Sequence, residues 1–200
     1  MSPDQLRIYS FLPISRANGP GPRATLWLQG CSLACPGCFN PATHPETGGT
    51  LVWVDELFQQ LAALRARIQG ITVSGGEPLQ QLPALLSLLQ RVRRETALSV
   101  LVFTGYSWQE VGDMPGTGPL LACTDVLIAG RYVARQHVGL GLRGSANKSV
   151  HFLTDRYAPQ DLDTTPVAEV IINPQGVVRV SGIDPLRWGK EPAGPRSTLR

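Results

Sequence analysis

Residues 71–78, Ile71-Thr72-Val73-Ser74-Gly75-Gly76-Glu77-Pro78, run a short β-forming stretch straight into a double-glycine turn. The sequence on either side has a helical pattern. Upstream, residues 55–68 carry apolar side chains at Leu57, Phe58, Leu61, Leu64 and Ile68, and Gly70 closes the stripe. Downstream, residues 82–96 form a second helical stretch with Pro83 in its first turn, where a missing N–H is harmless. Further strands are expected at 24–29, 99–104 and 124–129, with a fifth at 150–153. Apolar strands alternating with amphipathic helices specify β-α-β units and a parallel sheet, so the fold class is α/β.

Outward from this core the signals are local. Ser107 is placed to cap a short helix over 108–112. Residues 167–172 and 176–180 read as a hairpin around Asn173-Pro174. Residues 1–24 read as irregular, ending in the turn-rich run Asn18-Gly19-Pro20-Gly21-Pro22, and residues 30–50 as a Gly- and Pro-rich loop. From Pro185 the chain is rich in Pro, Gly and Arg, so one domain over 1–184 with a flexible tail over 185–200 is expected. Hydrophobic residues make up 42% of the 200-residue chain and charged residues 16%, enough for a real core and against global disorder. A net charge of +3 is too weak to argue for nucleic acid. The N-terminus lacks a signal-peptide pattern and no apolar run is long enough to span a bilayer, so a cytoplasmic protein with no membrane partner is expected.

Three expected strands end in unusual segments: the first at a cysteine cluster, the second at Gly75-Gly76-Glu77, the third at Thr104-Gly105. Sites in parallel β/α architectures gather at the carboxyl ends of strands, so the three segments should face one pocket. The cluster reads Cys31-Ser32-Leu33-Ala34-Cys35-Pro36-Gly37-Cys38, three of the chain's four cysteines. Pro36 and Gly37 oppose a continuous helix and favour a loop wrapped around a compact inorganic core. Thiolates are the ligands of iron–sulfur clusters, and three of them on a four-iron cube leave one iron open to a small molecule. The competing metal reading is a closed zinc site of Cys31, Cys35, Cys38 and His44, as in an interaction module. Cys123 stands alone and reads as a small buried hydrophobe. In the second segment, two glycines let backbone approach a ligand closely, and Glu77 offers a carboxylate to an ammonium group.

Cys-x3-Cys-x2-Cys followed by Gly-Gly-Glu-Pro resembles the radical S-adenosylmethionine superfamily. Within it, Cys38-Phe39-Asn40-Pro41-x-Thr43, Gly48-Gly49, Asn18-Gly-x-Gly-x-Arg23, Thr104-Gly105-Tyr106 and Thr124-Asp125-Val126-Leu127-Ile128-x-Gly130-Arg131 are similar to the small activating enzymes of anaerobic (class III) ribonucleotide reductase. So is Leu142-Arg143-Gly144-Ser145-Ala146-Asn147-Lys148, with Lys148 where that group has Gln. The resemblance runs from about Asn18 to Leu153.

It implies a partial (β/α)6-type radical SAM barrel with parallel strands. It also implies one [4Fe–4S] cluster on Cys31, Cys35 and Cys38, and S-adenosyl-L-methionine contacted by Phe39, Asn40, Ser74, Gly75, Gly76, Glu77 and Thr104. The implied activity is reductive cleavage of S-adenosylmethionine to a 5′-deoxyadenosyl radical that installs a glycyl radical on a partner enzyme, with a flavodoxin-like one-electron donor. The alternatives are a small-substrate enzyme such as a 7-carboxy-7-deazaguanine synthase and a peptide-modifying radical enzyme. No general base is assigned. His137 and His151 read as structural or surface residues, and Asp125 as either a ligand contact or a strand-edge residue. Trp27 and Trp53 read as packing residues. Arg91, Arg93 and Arg94 form a basic helix end, solvated or available to an acidic donor.

Overall fold

A computed structural model describes residues 4–184 of the chain. In order it forms β1 (Gln5–Ser15), β2 (Arg23–Leu28), β3 (Thr50–Trp53), α1 (Val54–Leu64), β4 (Gly70–Gly75), α2 (Leu82–Glu95), β5 (Ser99–Phe103), α3 (Trp108–Asp113), α4 (Thr117–Ala122) and β6 (Val126–Ala129). There follow β7 (His137–Leu140), β8 (Arg143–Ser145), β9 (Ser149–Phe152), α5 (Pro159–Asp163), β10 (Ala168–Ile172) and β11 (Val178–Gly182). The seven-stranded main sheet has the order β3-β1-β2-β4-β5-β6-β9. Its four central strands, β2, β4, β5 and β6, are mutually parallel. Both flanks are antiparallel: β1 on β2, β3 on β1, and β9 on β6. The expected α/β fold with a parallel sheet is therefore present. Its parallel part has four strands, and antiparallel strands extend it on each side. The expected tail over 185–200 lies outside the described residues.

The central strands are mostly apolar because helices cover them. Leu26, Leu28, Ile71, Val73, Val100 and Val102 are fully buried, and they pack with Leu57, Leu61, Leu85, Leu88 and Leu89 from α1 and α2. Near-continuous burial on both faces is what a parallel strand between layers requires.

The N-terminal segment corrects the sequence reading: residues 5–15 are an eleven-residue strand, not irregular chain. Leu6, Ile8 and Leu12 point into the core. The pattern is broken at Pro13, where the pairing with β2 slips between Leu12 and Ser15. A residue without an N–H fits a strand only at such an irregularity, and that break hides the strand from a periodicity test. The supposed loop over 30–50 likewise ends inside β3, which pairs with β1. Trp53 corrects a second expectation, being 53% exposed and so contributing little packing. The hairpin expected around Asn173-Pro174 is formed by β10 and β11. Asn173 closes it by accepting the N–H groups of Gln175 (3.0 Å) and Val177 (2.8 Å) on its side-chain oxygen.

The amino ends of the parallel strands are stapled by two buried charges. Arg23 is fully buried and donates to the Thr72 hydroxyl (2.7 Å), the Pro20 carbonyl (2.8 Å) and the Ile71 carbonyl (2.8 Å). Asp125 accepts from Arg93 (2.9 Å), Thr154 (2.7 Å) and the Val100 N–H (2.7 Å). Burial raises the Asp125 pKa, but these donors outweigh it and hold the group below the ordinary carboxylate value. Asp125 thus ties β5, β6, α2 and the exit of β9 together, at the opposite end of the sheet from the cysteines. Of the basic helix end, Arg91 is engaged by Asp55 (2.5 Å) and Glu95 (3.1 Å), and Arg93 by Asp125, which leaves only Arg94 largely exposed. Cys123 is buried in the core as expected.

Candidate functional site

The carboxyl ends of β2, β4, β5 and β6 carry the four segments that meet. The first two are joined by backbone. Gly76 N–H donates to the Leu28 carbonyl and Glu77 N–H to the Gly30 carbonyl, both at 2.8 Å. A Cβ on Gly76 would lie 2.2 Å from the Gly30 oxygen, and one on Gly75 would lie 2.3 Å from the Leu28 nitrogen. The turn therefore needs glycine at both positions for close approach, and Gly75 also has φ +100°.

Glu77 is 1% exposed, and its carboxylate is occupied from inside the protein. It accepts the Leu79 N–H (2.9 Å), the Thr104 hydroxyl (2.8 Å) and the Gly105 N–H (2.7 Å). Burial pushes its pKa up, against those three donors and the charge of Lys148. Glu77 and Thr104 thus lock the second strand end to the third. Gly105 completes the contact: a Cβ there would sit 2.4 Å from the Leu33 side chain of the cysteine loop.

The cysteine loop is anchored at its base. Gly30 N–H donates to the Thr43 carbonyl (2.8 Å) and Cys31 N–H to the His44 carbonyl (3.0 Å). Gln29 donates to the carbonyls of Ala42 (3.2 Å) and Pro45 (2.7 Å), while Gln81 donates to the Gln29 carbonyl (2.9 Å). Gln80 receives the Ser32 N–H (3.1 Å) and donates to the Ser32 and Tyr106 hydroxyls (2.6 and 3.1 Å). Between these anchors the chain curls through Ala34 (φ +45°) and Gly37 (φ +72°). The curl turns amides toward sulfur: Leu33 and Ala34 donate to Cys31, and Asn40 N–H donates to Cys38 Sγ at 3.4 Å.

All three thiols are half-buried. Burial raises the pKa of Cys31 and of Cys38, the amide donors oppose it, and neighbouring thiolates add to it. The three sulfurs therefore sense one another's charge. Among the described residues, no group of three or more His, Cys, Asp or Glu side chains is placed to hold a metal ion, and this holds for Cys31, Cys35 and Cys38 alone as for the zinc set with His44. By residue type, three thiols on one loop with backbone amides donating to sulfur suit an anionic iron–sulfur centre.

The fourth segment, after β6, closes the far side. Gly37 packs on Ala134, with an added Cβ only 3.1 Å from the alanine methyl. Phe39 stacks against Tyr132 (centroids 4.3 Å apart) and meets His137 edge-on (5.5 Å), and its ring lies over Gly144. His137 Nδ1 lies 2.9 Å from the Gly144 carbonyl, and His151 stacks on Trp108.

Two residues quoted above only as parts of motifs, with no site role, also belong here. Arg131 and Lys148 act electrostatically on Cys35, and Lys148 also on Cys38 and Glu77. Arg131 is held by Glu110 through a two-pronged ion pair (2.6 and 2.9 Å). Neither has a spacing signal, because each reaches the site through the tertiary fold. Ser74 is half-buried at the end of β4, opposite Trp27 of β2.

Residues 17–151 match the family model described as a 4Fe-4S single cluster domain. The anaerobic ribonucleoside-triphosphate reductase-activating protein of Vibrio cholerae is 35% identical over 156 residues, covering 74% of this chain and 99% of that protein. The chain belongs to this family of activating proteins. Its Escherichia coli member is 35% identical over 155 residues, with the same coverage, and the member from bacteriophage T4 is 32% identical over 155 residues. The crystal structure of QueE from Escherichia coli aligns over 52% of this chain and 53% of that one, at 18% identity and a TM-score of 0.40. Three quarters of the chain accounts for nearly the whole length of the Vibrio and Escherichia activating proteins.

The Glu110–Arg131 pair gives this member of the family an acid-sensitive edge. The Arg131 guanidinium and the Ser107 capping bonds depress the Glu110 pKa to about 2 from 4.5. A depressed folded-state value means the pair contributes stability above pH 4.5 and loses it as pH falls toward 2. Carbon-13 titration should place the Glu110 inflection near 2, and Glu110→Gln should flatten stability loss in that window. A Glu110 inflection near 4.5 would show that the pair is not formed in solution.

Proposed function

We propose that this protein is a radical S-adenosylmethionine enzyme that installs a glycyl radical on an anaerobic ribonucleoside-triphosphate reductase. The observation that carries the reading is the fusion, by two backbone hydrogen bonds, of the cysteine loop to the Gly75-Gly76-Glu77 turn at the carboxyl end of the parallel strands. Membership of the activating-protein family supports the choice of partner.

In this reading Cys31, Cys35 and Cys38 hold one [4Fe–4S] cluster. A cluster held there would supply the single electron for cleaving S-adenosyl-L-methionine into methionine and a 5′-deoxyadenosyl radical, which would take hydrogen from the partner's glycine. The chain's own residues bind and orient. The Leu33, Ala34 and Asn40 amides stabilise thiolate charge, and the backbone of Ser74, Gly75 and Gly76 presents polar groups to the cofactor's amino acid end. Glu77 and Thr104 serve this site from behind, by fixing the turn, because their polar atoms already bond inward. Phe39 and Asn40 form the wall beside the third cysteine, and Phe39, 38% exposed, offers an aromatic face. No residue needs to move a proton in this step, in keeping with the structural placement of His137, His151 and Asp125. The electron comes from a flavodoxin-like or similar one-electron donor. Among the described residues no helix is long and apolar enough to cross a membrane.

Anaerobic reconstitution should load about four irons per chain. With dithionite and S-adenosylmethionine the loaded protein should release 5′-deoxyadenosine, and the triple Cys31/Cys35/Cys38→Ala variant should not. Added anaerobic reductase should develop a glycyl radical signal in electron spin resonance. Cofactor cleavage without that signal would point to a small-molecule or peptide substrate. One zinc and no iron would defeat the reading.

A further inference from the structure

Two cations face the cysteine loop, and they differ in how their charge is balanced. Arg131 is neutralised by the two-pronged contact with Glu110. Lys148 is half-buried, and among the described residues no carboxylate lies within ion-pair distance of it. Its ammonium is held by a neutral acceptor, the Gly130 carbonyl. That carbonyl is itself fixed at the end of β6, with Gly130 N–H donating to the Tyr106 carbonyl (2.7 Å) and φ at +117°.

The neighbouring backbone fixes the lysine's position. Lys148 N–H donates to the Ser145 carbonyl (3.1 Å), and Asn147 Nδ2 donates to the Arg131 carbonyl (2.9 Å). The same segment is pressed against the third-cysteine turn through Gly37 on Ala134 and Phe39 on Gly144. Burial lowers the Lys148 pKa, and the negative charge of Cys35, Glu77 and Cys38 opposes that shift and favours the ammonium. A half-buried cation on a neutral hook is expensive unless an anion occupies the space it faces.

We propose that Lys148 is a positioning residue whose fixed positive charge sets the reduction potential of the cluster held by Cys31, Cys35 and Cys38. The inference rests on the cluster assignment made above. Four irons and four sulfides with three thiolates carry a charge of −1 at rest and −2 after gaining one electron. A nearby cation stabilises the more negative form and raises the potential. Because Lys148 is shielded from solvent, added salt screens it far less than it would a surface lysine.

The test is a redox titration of the reconstituted protein, following the reduced cluster by electron spin resonance, on wild type, Lys148→Gln and Lys148→Arg. Glutamine can still donate to the Gly130 carbonyl, so the hook is kept and the charge is lost. The expected result for Lys148→Gln is a roughly tenfold less favourable reduction, a midpoint about 59 mV lower for one electron, at unchanged iron content. Lys148→Arg should stay near wild type. A Lys148→Gln midpoint equal to wild type overturns the proposal and leaves the proposed function standing. An equal fall in both variants also overturns it, since shape and not charge would then be responsible. A wild-type protein that loads no cluster removes the proposed function and this inference together.

Discussion

Gly76→Ala is expected to abolish cluster loading while leaving the sheet folded. The added methyl would lie 2.2 Å from the Gly30 oxygen, 2.8 Å from its carbonyl carbon and 3.1 Å from its nitrogen. These are backbone atoms of the residue before Cys31, so no side chain can swing aside. Relief requires the two strand ends to separate, which breaks the hydrogen bonds Gly76 N–H to Leu28 and Glu77 N–H to Gly30. Losing both bonds costs about 1–3 kcal/mol, with strain in addition. The cysteine loop then loses its support from the Gly-Gly turn. Iron per chain after reconstitution should fall from about four to near none, and 5′-deoxyadenosine release should fall with it. Gly112→Ala is the matched control. Nothing lies within 4 Å of an added Cβ there, and alanine favours a helix over glycine by about 1 kcal/mol. Full iron loading by Gly76→Ala would show that the two segments are not in contact as described.

Arg23→Ala should give the largest loss of stability of any single change at the other end of the sheet. It removes the donor to the buried Pro20 and Ile71 carbonyls and the Thr72 hydroxyl and leaves a cavity. Unsatisfied buried acceptors cost about 1–3 kcal/mol each, so a total of ~3 kcal/mol or more is expected. For a domain of this size that corresponds to a melting temperature roughly 10 °C lower. Arg23→Lys should recover little, because a single ammonium cannot reproduce a planar fork with three acceptors in fixed directions. The site lies at the far end of the strands, so iron loading below the melting transition should be unaffected. A melting temperature unchanged in Arg23→Ala would contradict the burial described.

The parallel centre was legible because its strands are short, mostly apolar runs rich in β-formers and its helices keep a 3.6-residue stripe. What escaped the sequence depended on pairing. β1 has Pro13 and a register slip, and β3 has two exposed residues at its start, so neither shows clean alternation. Each becomes a strand only because a neighbour offers an edge. The site divides the same way. The cysteines and the double glycine are readable because their chemistry demands those residue types at those spacings. Gln29, Gln80 and Gln81 are not readable, since an amide bridging two loops looks in sequence like any polar surface residue. Arg131 lies 93 and Lys148 110 residues beyond Cys38, so each meets the site only through the tertiary fold. Glu77 was found for the right turn, yet its carboxylate bonds inward, a direction that sequence does not encode.

The two buried charges at the amino ends of the strands let this molecule separate robustness from reactivity. Arg23 and Asp125 hold one rim through hydrogen bonds that involve no thiol and no glycine turn. The opposite rim is a set of tight turns that carries the three cysteines and the Gly75-Gly76-Glu77 turn. A protein engineer can therefore harden the first rim against heat, or graft new loops on the second, and treat the two as separate projects.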